Sequence, residues 1–205
     1  MMRHLVSSRI VDFAGIYDED VELVSVTSAR STALAAVAER VLMTPRTVES
    51  RWEQAVGAHG AAEAALTAAT GQQSLPALSE EIAETSEVIG ELLGCTRVGV
   101  RLATLRGPMC PRFHVDRTPC RMLTTLSGAG TEWIPGDEVD PARFGDHTTD
   151  TPPLVPGGTI RQLITGSRSL LKGALWADGY PGVVHRSPHD LGNRLLLTID
   201  PIFTA

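Results

Sequence analysis

The residues best suited to chemistry lie in the segment Cys-Pro-Arg-Phe-His-Val-Asp-Arg-Thr-Pro-Cys at positions 110–120. His114 and Asp116 are two positions apart, so on an extended strand both side chains leave the same face. An imidazole and a carboxylate on one face can bind one metal ion. A third ligand must come from elsewhere in the chain, and His185 lies at the end of a second predicted strand. The sequence therefore predicts a metal site made of two histidines and one carboxylate.

The composition of this ligand set indicates which metal chemistry to expect. Two histidines and one carboxylate occupy one face of an octahedron and leave up to three positions open. Non-haem Fe(II) needs this arrangement to bind a bidentate co-substrate and O₂ together, whereas structural zinc favours a closed set of ligands. Zinc nevertheless outcompetes Fe(II) for nitrogen and oxygen ligands, so the metal found in isolated protein does not by itself identify the chemistry.

The same residues also have plainer structural interpretations. Asp116 could merely orient the imidazole of His114, and His185 could form a backbone hydrogen bond at a strand end. Arg194, which opens the last predicted strand, could form a salt bridge at the rim of a barrel. Each interpretation is plausible alone, but the occurrence of all four residues in this order favours the metal site.

Two cysteines flank the histidine–aspartate pair at equal distances in the sequence. Cys110 and Cys120 would suit a zinc site with thiolate ligands. A proline adjoins each cysteine and indicates a turn, so we expect the thiols to point away from the site. Direct coordination by either thiol is kept as an alternative.

The elements that must position these residues change in character near residue 95. Residues 28–94 are rich in alanine and glutamate and are predicted to be helical. We expect helices from Ser28 until Pro45, over 47–56 with Trp52 facing inward, over 60–70, and from an N-cap at Ser79 to a C-cap at Gly94. This N-terminal helical region, residues 1–94, is expected to pack outside the rest of the protein and to supply no ligands.

Residues 95–205 are predicted to form short strands separated by glycine and proline. The predicted strands are 97–105, 112–116, 121–126, 131–134, 159–165, 169–176, 182–185 and 194–200. Eight short strands indicate a closed or sandwiched β unit, because their apolar faces have nowhere else to be buried. We therefore predict an α+β protein, with a jelly-roll, metal-binding core packed against the helices in one compact domain. The acidic loop 136–156 is expected to be a lid or a disordered insertion.

Composition excludes several classes of function. The formal net charge is −6, which disfavours a nucleic-acid partner because phosphate contacts need clustered lysine and arginine. No apolar stretch is long enough to span a membrane, and the first 20 residues contain no continuous apolar signal segment. Three unevenly spaced cysteines do not form a disulfide framework, and we expect a cytoplasmic protein.

The order of these residues resembles the 2-oxoglutarate/Fe(II) oxygenases of the double-stranded β-helix fold. In that superfamily the His-x-Asp motif lies on the second core strand and the distal histidine on the seventh. A basic residue on the eighth strand binds the distal carboxylate of 2-oxoglutarate. The resemblance implies that His114, Asp116 and His185 hold Fe(II) and that Arg194 binds the co-substrate. A planar guanidinium suits this role because it can form two parallel hydrogen bonds to a carboxylate. The intact carboxylate further implies hydroxylation rather than halogenation.

A closer resemblance covers most of the chain. The segment around His114, together with Gly-Thr-Glu-Trp at 130–133, Leu-Lys-Gly at 171–173 and Val-His-Arg-Ser-Pro at 184–188, is similar to a bacterial family described as domain of unknown function 1826. Genes of this family often lie near zinc-homeostasis genes. The resemblance therefore implies a second hypothesis, a non-catalytic zinc-binding protein involved in zinc homeostasis. A cupin-like binding or isomerase module is a third.

Other residues near the motifs could contact substrate or support the ligands. Arg101 alternates with apolar residues on the first predicted core strand and could pair with a substrate carboxylate or with Asp116. Trp133 is expected in the core, with substrate stacking as the alternative. His189 could support the site or be exposed. The substrate is an unidentified small molecule or peptide.

Overall fold

The computed structural model describes residues 2–27, 32–45, 47–72, 75–146, 148–189 and 192–203. Within these ranges the chain forms ten β-strands and four α-helices, besides 3₁₀ turns at Ile10–Tyr17 and Gly136–Glu138. The strands are β1 (Arg3–Ser7), β2 (Val21–Val26), β3 (Glu49–Ala55), β4 (Arg97–Leu105), β5 (Cys120–Ser127), β6 (Glu132–Ile134), β7 (Arg161–Gln162), β8 (Arg168–Lys172), β9 (Val184–Arg186) and β10 (Arg194–Ile202). The helices are α1 (Thr32–Met43), α2 (His59–Thr70), α3 (Pro76–Leu93) and α4 (Pro141–Phe144).

Two sheets form the core of the protein. The large sheet has the strand order β1-β2-β8-β5-β10-β4-β3, and the small sheet has the order β7-β6-β9. A single antiparallel bridge between His114 and His185 adds a fourth segment to the small sheet. From residue 97 onward, β4, β5, β8 and β10 join the large sheet, while the His114 segment, β6, β7 and β9 join the small one. This alternation is the jelly-roll topology that the sequence predicts.

The large sheet buries apolar side chains on both of its faces. Alternation along β5 and β10 sends Met122 and Leu197 to the outer face, and Leu123 and Leu196 toward the small sheet. Helices α1, α2 and α3 cover the outer face with buried residues such as Leu34, Leu66 and Ile82. The helices therefore pack outside the jelly roll, and the interior between the sheets is left for a site.

The first 94 residues are not a purely helical layer. Strands β1 and β2 pair in parallel and extend the large sheet beyond β8, and β3 pairs with β4 at the opposite edge. The predicted helix over 47–56 is wrong, because β3 occupies most of this range. Exposure along β3 alternates with a period of two, and Trp52 lies opposite Val100 with its side chain packed on the outer apolar cluster.

The three long helices otherwise follow the sequence pattern, with differences at their beginnings. Helix α1 is described from Thr32, so the predicted start at Ser28 lies outside the described residues. Helix α3 begins at Pro76 instead of using Ser79 as N-cap, because proline is well accommodated in the first turn. It ends as predicted at Gly94, whose φ of 69° is left-handed and suits glycine.

Several predicted core strands are shorter in the structure. The segment 112–116 contributes only the bridge at His114, the segment 159–165 contributes only β7, and β8 ends at Lys172, well before Trp176. Prolines and glycines around these segments interrupt regular pairing. The strand predictions over 97–105 and 121–126 correspond closely to β4 and β5.

The acidic loop 136–156 is structured where it is described. It contains α4, capped by the Asp140 carboxylate, and a bridge between Val139 and Leu154. The Glu138 carboxylate accepts hydrogen bonds from the backbone of Thr159 at 2.7 Å and from Arg161 Nη2 at 2.8 Å. These contacts attach the loop to the β7 side of the small sheet.

Glu22 on β2 is a buried carboxyl group whose ionisation should make the stability of the protein depend on pH. Its side chain is 1% exposed, and its carboxylate accepts a hydrogen bond from the Gly136 backbone at 3.0 Å. Burial raises the pKa of Glu22 to about 7 from 4.5, with Asp137 adding to the rise, while the Gly136 N–H, Arg161 and Lys172 oppose it. A carboxyl group with a raised folded-state pKa stabilises the protein below its unfolded pKa, and this contribution is lost as the pH rises to about 7.

We expect Glu22→Gln to remove this loss. Relative to the parent protein, the variant should gain up to about 3 kcal/mol of unfolding free energy at pH 8 and little at pH 4.5. Urea unfolding across this pH range measures the difference. Glu19→Gln, at an exposed neighbouring position, is the matched control. Parallel pH profiles for the parent and Glu22→Gln would contradict the assignment.

Candidate metal centre

The backbone brings His114 and His185 together across the small sheet. The N–H of each residue donates to the carbonyl of the other, at 3.0 and 2.9 Å. Residues in such an antiparallel pair send their side chains to the same face, and the two ring centroids are 4.5 Å apart. Two histidines that are distant in the sequence therefore project side by side into the space between the sheets.

Both imidazoles are oriented in the same way. His114 Nδ1 donates to the Arg112 carbonyl at 3.0 Å, and His185 Nδ1 donates to the Val183 carbonyl at 2.9 Å. A carbonyl can only accept, so Nδ1 carries the proton and Nε2 is left with a free lone pair. Backbone contacts of this kind fix the tautomer of metal-binding histidines.

Asp116 completes the cluster with an unpartnered oxygen. Its Oδ1 accepts a hydrogen bond from Arg121 Nη1 at 2.8 Å. Its Oδ2 lies 3.4 Å from His185 Nε2 and has no hydrogen-bond donor although it is buried. One ligand atom from each of His114, Asp116 and His185 lies within 4.8 Å of the others. Because buried acceptors without donors are costly, this arrangement fits a cation bound between them.

The electrostatics keep His185 in the form that binds metals. Burial lowers the pKa of His185, and the charges of His114 and Arg121 lower it further, whereas Asp116 and the Val183 carbonyl oppose the shift. The lowered pKa means that the imidazole is neutral near pH 7. A neutral imidazole beside a carboxylate forms no ion pair, so the cluster is better suited to metal binding than to a salt bridge.

A cavity of about 140 Å³ opens from the cluster into the interior between the sheets. Its lining includes Thr131, whose hydroxyl accepts a hydrogen bond from Arg194 Nη2 at 3.0 Å. Arg194 is 3% exposed, also contacts Thr125, and has a buried Nε without an acceptor. Burial lowers the pKa of Arg194 to about 10, while nearby Glu132 opposes the shift. No carboxylate hydrogen-bonds to this guanidinium among the described residues, which suits it to an anionic ligand.

The partner of Asp116 is Arg121, which the sequence analysis did not identify. Arg101 instead forms two hydrogen bonds to Glu49, at 2.8 and 2.9 Å, although it does line the same cavity. Arg121 is the second residue of β5 and alternates with buried Cys120 and Met122. A charged side chain on the inward face of a core strand was the signal that could have pointed to it.

The two cysteines near the motif lie outside the ligand cluster. Cys110 lines the cavity but supplies no atom to the group of converging ligands. Cys120 faces the outer apolar cluster, and burial raises the pKa of its thiol to about 12. A thiolate-assisted zinc site therefore has no support among the described residues.

The remaining candidates, Trp133 and His189, do not line the metal cavity, although Trp133 lies opposite His185 in the register of the small sheet. Trp133 is buried between the sheets, with its ring edge-on to His4 at 5.2 Å, so it packs in the core. His189 is exposed and lines an outer cavity of about 320 Å³ with Phe113 and with Arg186, which also lines the metal cavity. Phe113 and Arg186 adjoin His114 and His185 in the sequence, so strand alternation directs their side chains toward the outer face of the small sheet.

The described residues of loop 136–156 border this outer cavity and not the metal cavity. A second groove, of about 470 Å³, adjoins the metal cavity and shares Arg101, Arg121 and Thr198 with it. The groove lies where the inner face of the large sheet extends past the small sheet, and Gly99 leaves space in its floor. It offers a route from solvent to the ligand cluster.

Comparison with known families gives a match over nearly the whole chain. The family model described as "Protein of unknown function (DUF1826)" matches residues 7–200. The chain belongs to the DUF1826 family. None of the curated proteins compared with it matches. No helix in the described ranges is long and apolar enough to cross a membrane.

Solved structures show which fold this DUF1826 protein shares. A dioxygenase for auxin oxidation from rice aligns with a TM-score of 0.56 and 12% identity, over 98% of this chain and 83% of that one. An Arabidopsis thaliana dioxygenase for auxin oxidation in complex with 2-oxoglutarate gives 0.52 and 10%, over 100% and 94%. The Fe(II)/α-ketoglutarate-dependent dioxygenase TqaL gives 0.52 and 13%, over 93% and 86%. At these identities the similarity establishes the jelly-roll fold.

Proposed function

We propose that this protein is an Fe(II)- and 2-oxoglutarate-dependent oxygenase of the hydroxylase type. The observation that carries the proposal is a buried guanidinium without a carboxylate partner, Arg194, behind the cavity that holds the His114, Asp116 and His185 cluster. A metal ion would satisfy the carboxylate oxygen, and the distal carboxylate of 2-oxoglutarate would satisfy the arginine. The fold shared with dioxygenases, one of them in complex with 2-oxoglutarate, supports the same proposal.

The donor set fits Fe(II). His114 Nε2, His185 Nε2 and Asp116 Oδ2 would hold the ion on one face and leave the other face open. When bound, Fe(II) with 2-oxoglutarate supplies oxygen activation coupled to decarboxylation of the co-substrate to succinate and CO₂. The Nδ1–H bonds to backbone carbonyls keep both rings aimed at the ion throughout, because these carbonyls belong to the backbone beside the His114–His185 pair.

Arg194 would determine which acid the cavity accepts. It opens β10, opposite Leu105 of β4, so its backbone position is fixed by the large sheet. Thr125 and Thr131 hold one end of the guanidinium and leave Nε available for a carboxylate oxygen. Leu123 and Leu196 line the cavity and give it an apolar wall beside the ligands. A five-carbon dicarboxylate could bind the metal at one end and Arg194 at the other.

The substrate would reach the centre through the groove at Gly99. This groove shares three lining residues with the metal cavity, whereas the outer cavity near His189 shares only Arg186. We therefore propose that the unidentified substrate, a small molecule or a peptide side chain, enters between β3, β4 and β10.

Anaerobic binding tests the proposed function. Fe(II) and 2-oxoglutarate together should give the weak visible absorption of a chelated keto acid, and succinate, which lacks the 2-oxo group, should give none. After admission of air, slow conversion of 2-oxoglutarate to succinate without substrate should follow. Tight zinc binding that depends on Cys110, with neither absorption nor succinate formation, would instead support the zinc-binding hypothesis.

A further inference from the structure

We propose that Arg121, held by Asp200, is a positioning residue that makes Asp116 a metal ligand through one oxygen only. The inference rests on the metal site of the proposed function and assigns a role to two residues outside the ligand set. Arg121 Nη1 donates to Asp116 Oδ1 at 2.8 Å. Its Nε and Nη2 donate to the two carboxylate oxygens of Asp200, at 2.7 and 2.6 Å. The guanidinium is therefore fixed on one side by a bidentate pair and holds one oxygen of the ligand on the other.

Asp116 is the ligand that needs such a restraint. His114 and His185 lie in a paired backbone segment and have their rings fixed by carbonyls. Asp116 lies in the turn that precedes β5, where its carbonyl accepts a hydrogen bond from Ala174, but this does not determine the orientation of the carboxylate. The hydrogen bond from Arg121 determines it, and leaves Oδ2 as the unpartnered atom that faces the histidines.

The large sheet fixes Arg121 and Asp200 side by side. Met122 of β5 lies opposite Ile199 of β10 in the antiparallel register, so the next residues outward, Arg121 and Asp200, adjoin each other. Both are half-buried, with side chains 26% and 28% exposed. Alternation turns them away from the outer apolar cluster that holds Met122 and Ile199, and toward the ligand cavity.

The charge balance keeps Arg121 a permanent donor. Burial pulls the pKa of Arg121 down, but the hydrogen bonds and charges of Asp200 and Asp116 outweigh burial and raise it. Asp200 neutralises the guanidinium on its own when the charge of Asp116 is shared with a cation. Arg121 can therefore stay hydrogen-bonded to Oδ1 without competing for Oδ2.

One-oxygen binding matters because it sets the number of open positions on the ion. Two histidines and one carboxylate oxygen leave three positions of an octahedron, enough for a two-point chelator and one further diatomic ligand. If Oδ1 were free to bind as well, only two positions would remain, and the chelator would fill both. Arg121 would thus preserve the position that the co-substrate leaves open.

Nitric oxide, a stable probe of that position, tests the inference without turnover. In the parent protein with Fe(II) and 2-oxoglutarate under anaerobic conditions, nitric oxide should give the electron paramagnetic resonance signal of a high-spin iron–nitrosyl. Arg121→Gln should retain the keto-acid absorption but reduce the nitrosyl signal roughly tenfold. Arg121→Lys, which keeps the positive charge as well as a donor, should recover part of the signal. Arg101→Gln is the matched control, because Arg101 lines the same cavity but bonds to Glu49.

A second measurement needs no co-substrate and separates this inference from the proposed function. The infrared difference between zinc-loaded and metal-free protein should show a wide separation of the carboxylate stretches in the parent and a narrow one in Arg121→Gln. Asp200→Asn, which loosens Arg121 without removing it, should lie between them and serves if Arg121→Gln does not fold. Equal infrared separations in the parent and in Arg121→Gln would overturn the inference, as would equal signal losses in Arg121→Gln and Arg101→Gln. If the parent protein showed the wide infrared separation but no keto-acid absorption with Fe(II) and 2-oxoglutarate, the proposed function would be overturned and this inference would stand.

Discussion

Replacing His185 with alanine should weaken Fe(II) binding by roughly 100-fold or more, since even residues behind the ligands typically contribute 10–100-fold. The loss has a simple geometric cause. Without the imidazole, His114 and Asp116 remain as two ligands on one side of the cavity, and the third corner of the cluster is empty. Anaerobic titration with Fe(II), followed by a chelator competition assay, measures the change.

Two controls make the His185 result specific. His189→Ala removes an exposed histidine four residues downstream and should leave the affinity unchanged. Cys110→Ala removes the thiol that lines the cavity and should also have no effect, because this thiol is not part of the converging cluster. Unfolding of the metal-free proteins shows whether His185→Ala is still folded. Retained affinity in a folded His185→Ala variant, or lost affinity in Cys110→Ala, would rule out the assigned ligand set.

Replacing Arg194 with methionine should separate binding from stability. The affinity for 2-oxoglutarate should fall roughly 100-fold, as expected when one member of a buried charge pair is lost. The unfolding free energy without ligand should stay the same or rise by about 1 kcal/mol, because methionine removes a buried charge that no carboxylate neutralises in the free protein. Keto-acid absorption measures the first quantity and urea unfolding the second.

Arg168→Met is the control for Arg194→Met, because it removes a buried arginine of the same sheet that does have carboxylate partners. Arg168 is also buried, but it pairs with Glu81 and Glu84 at 2.7 and 2.8 Å on the outer face. Its loss leaves the buried Glu81 carboxylate without its partner, whereas half-exposed Glu84 stays solvated, so we expect about 3 kcal/mol of destabilisation with no change in 2-oxoglutarate affinity. If Arg194→Met were as destabilising as Arg168→Met and bound 2-oxoglutarate normally, Arg194 would be a structural residue and the proposed function would lose its main support.

The local pattern predicted the C-terminal part of the fold well. Strands β4, β5 and β10 have strong β-branched and aliphatic runs bounded by glycine and proline, and they occur close to where the sequence places them. The prediction was poorest where a segment depends on a distant partner. Strand β3 has the composition of a helix, and only its pairing with β4 makes it a strand. The sequence analysis predicted no strand at β1 or β2, although β2 is rich in valine; their place in the large sheet depends on pairing with β8.

The sequence by itself determined the types and order of the candidate ligands and the strand context of His185, because these follow from residue identity and local periodicity, whereas Asp116 lies in a turn and not on the predicted strand 112–116. Only the tertiary structure decided that Arg121 and not Arg101 holds Asp116, that Cys120 faces away, and that Arg194 has no carboxylate partner. These features depend on sheet register between segments far apart in the chain. Register is set by the packing of whole apolar faces, which short-range spacing does not encode.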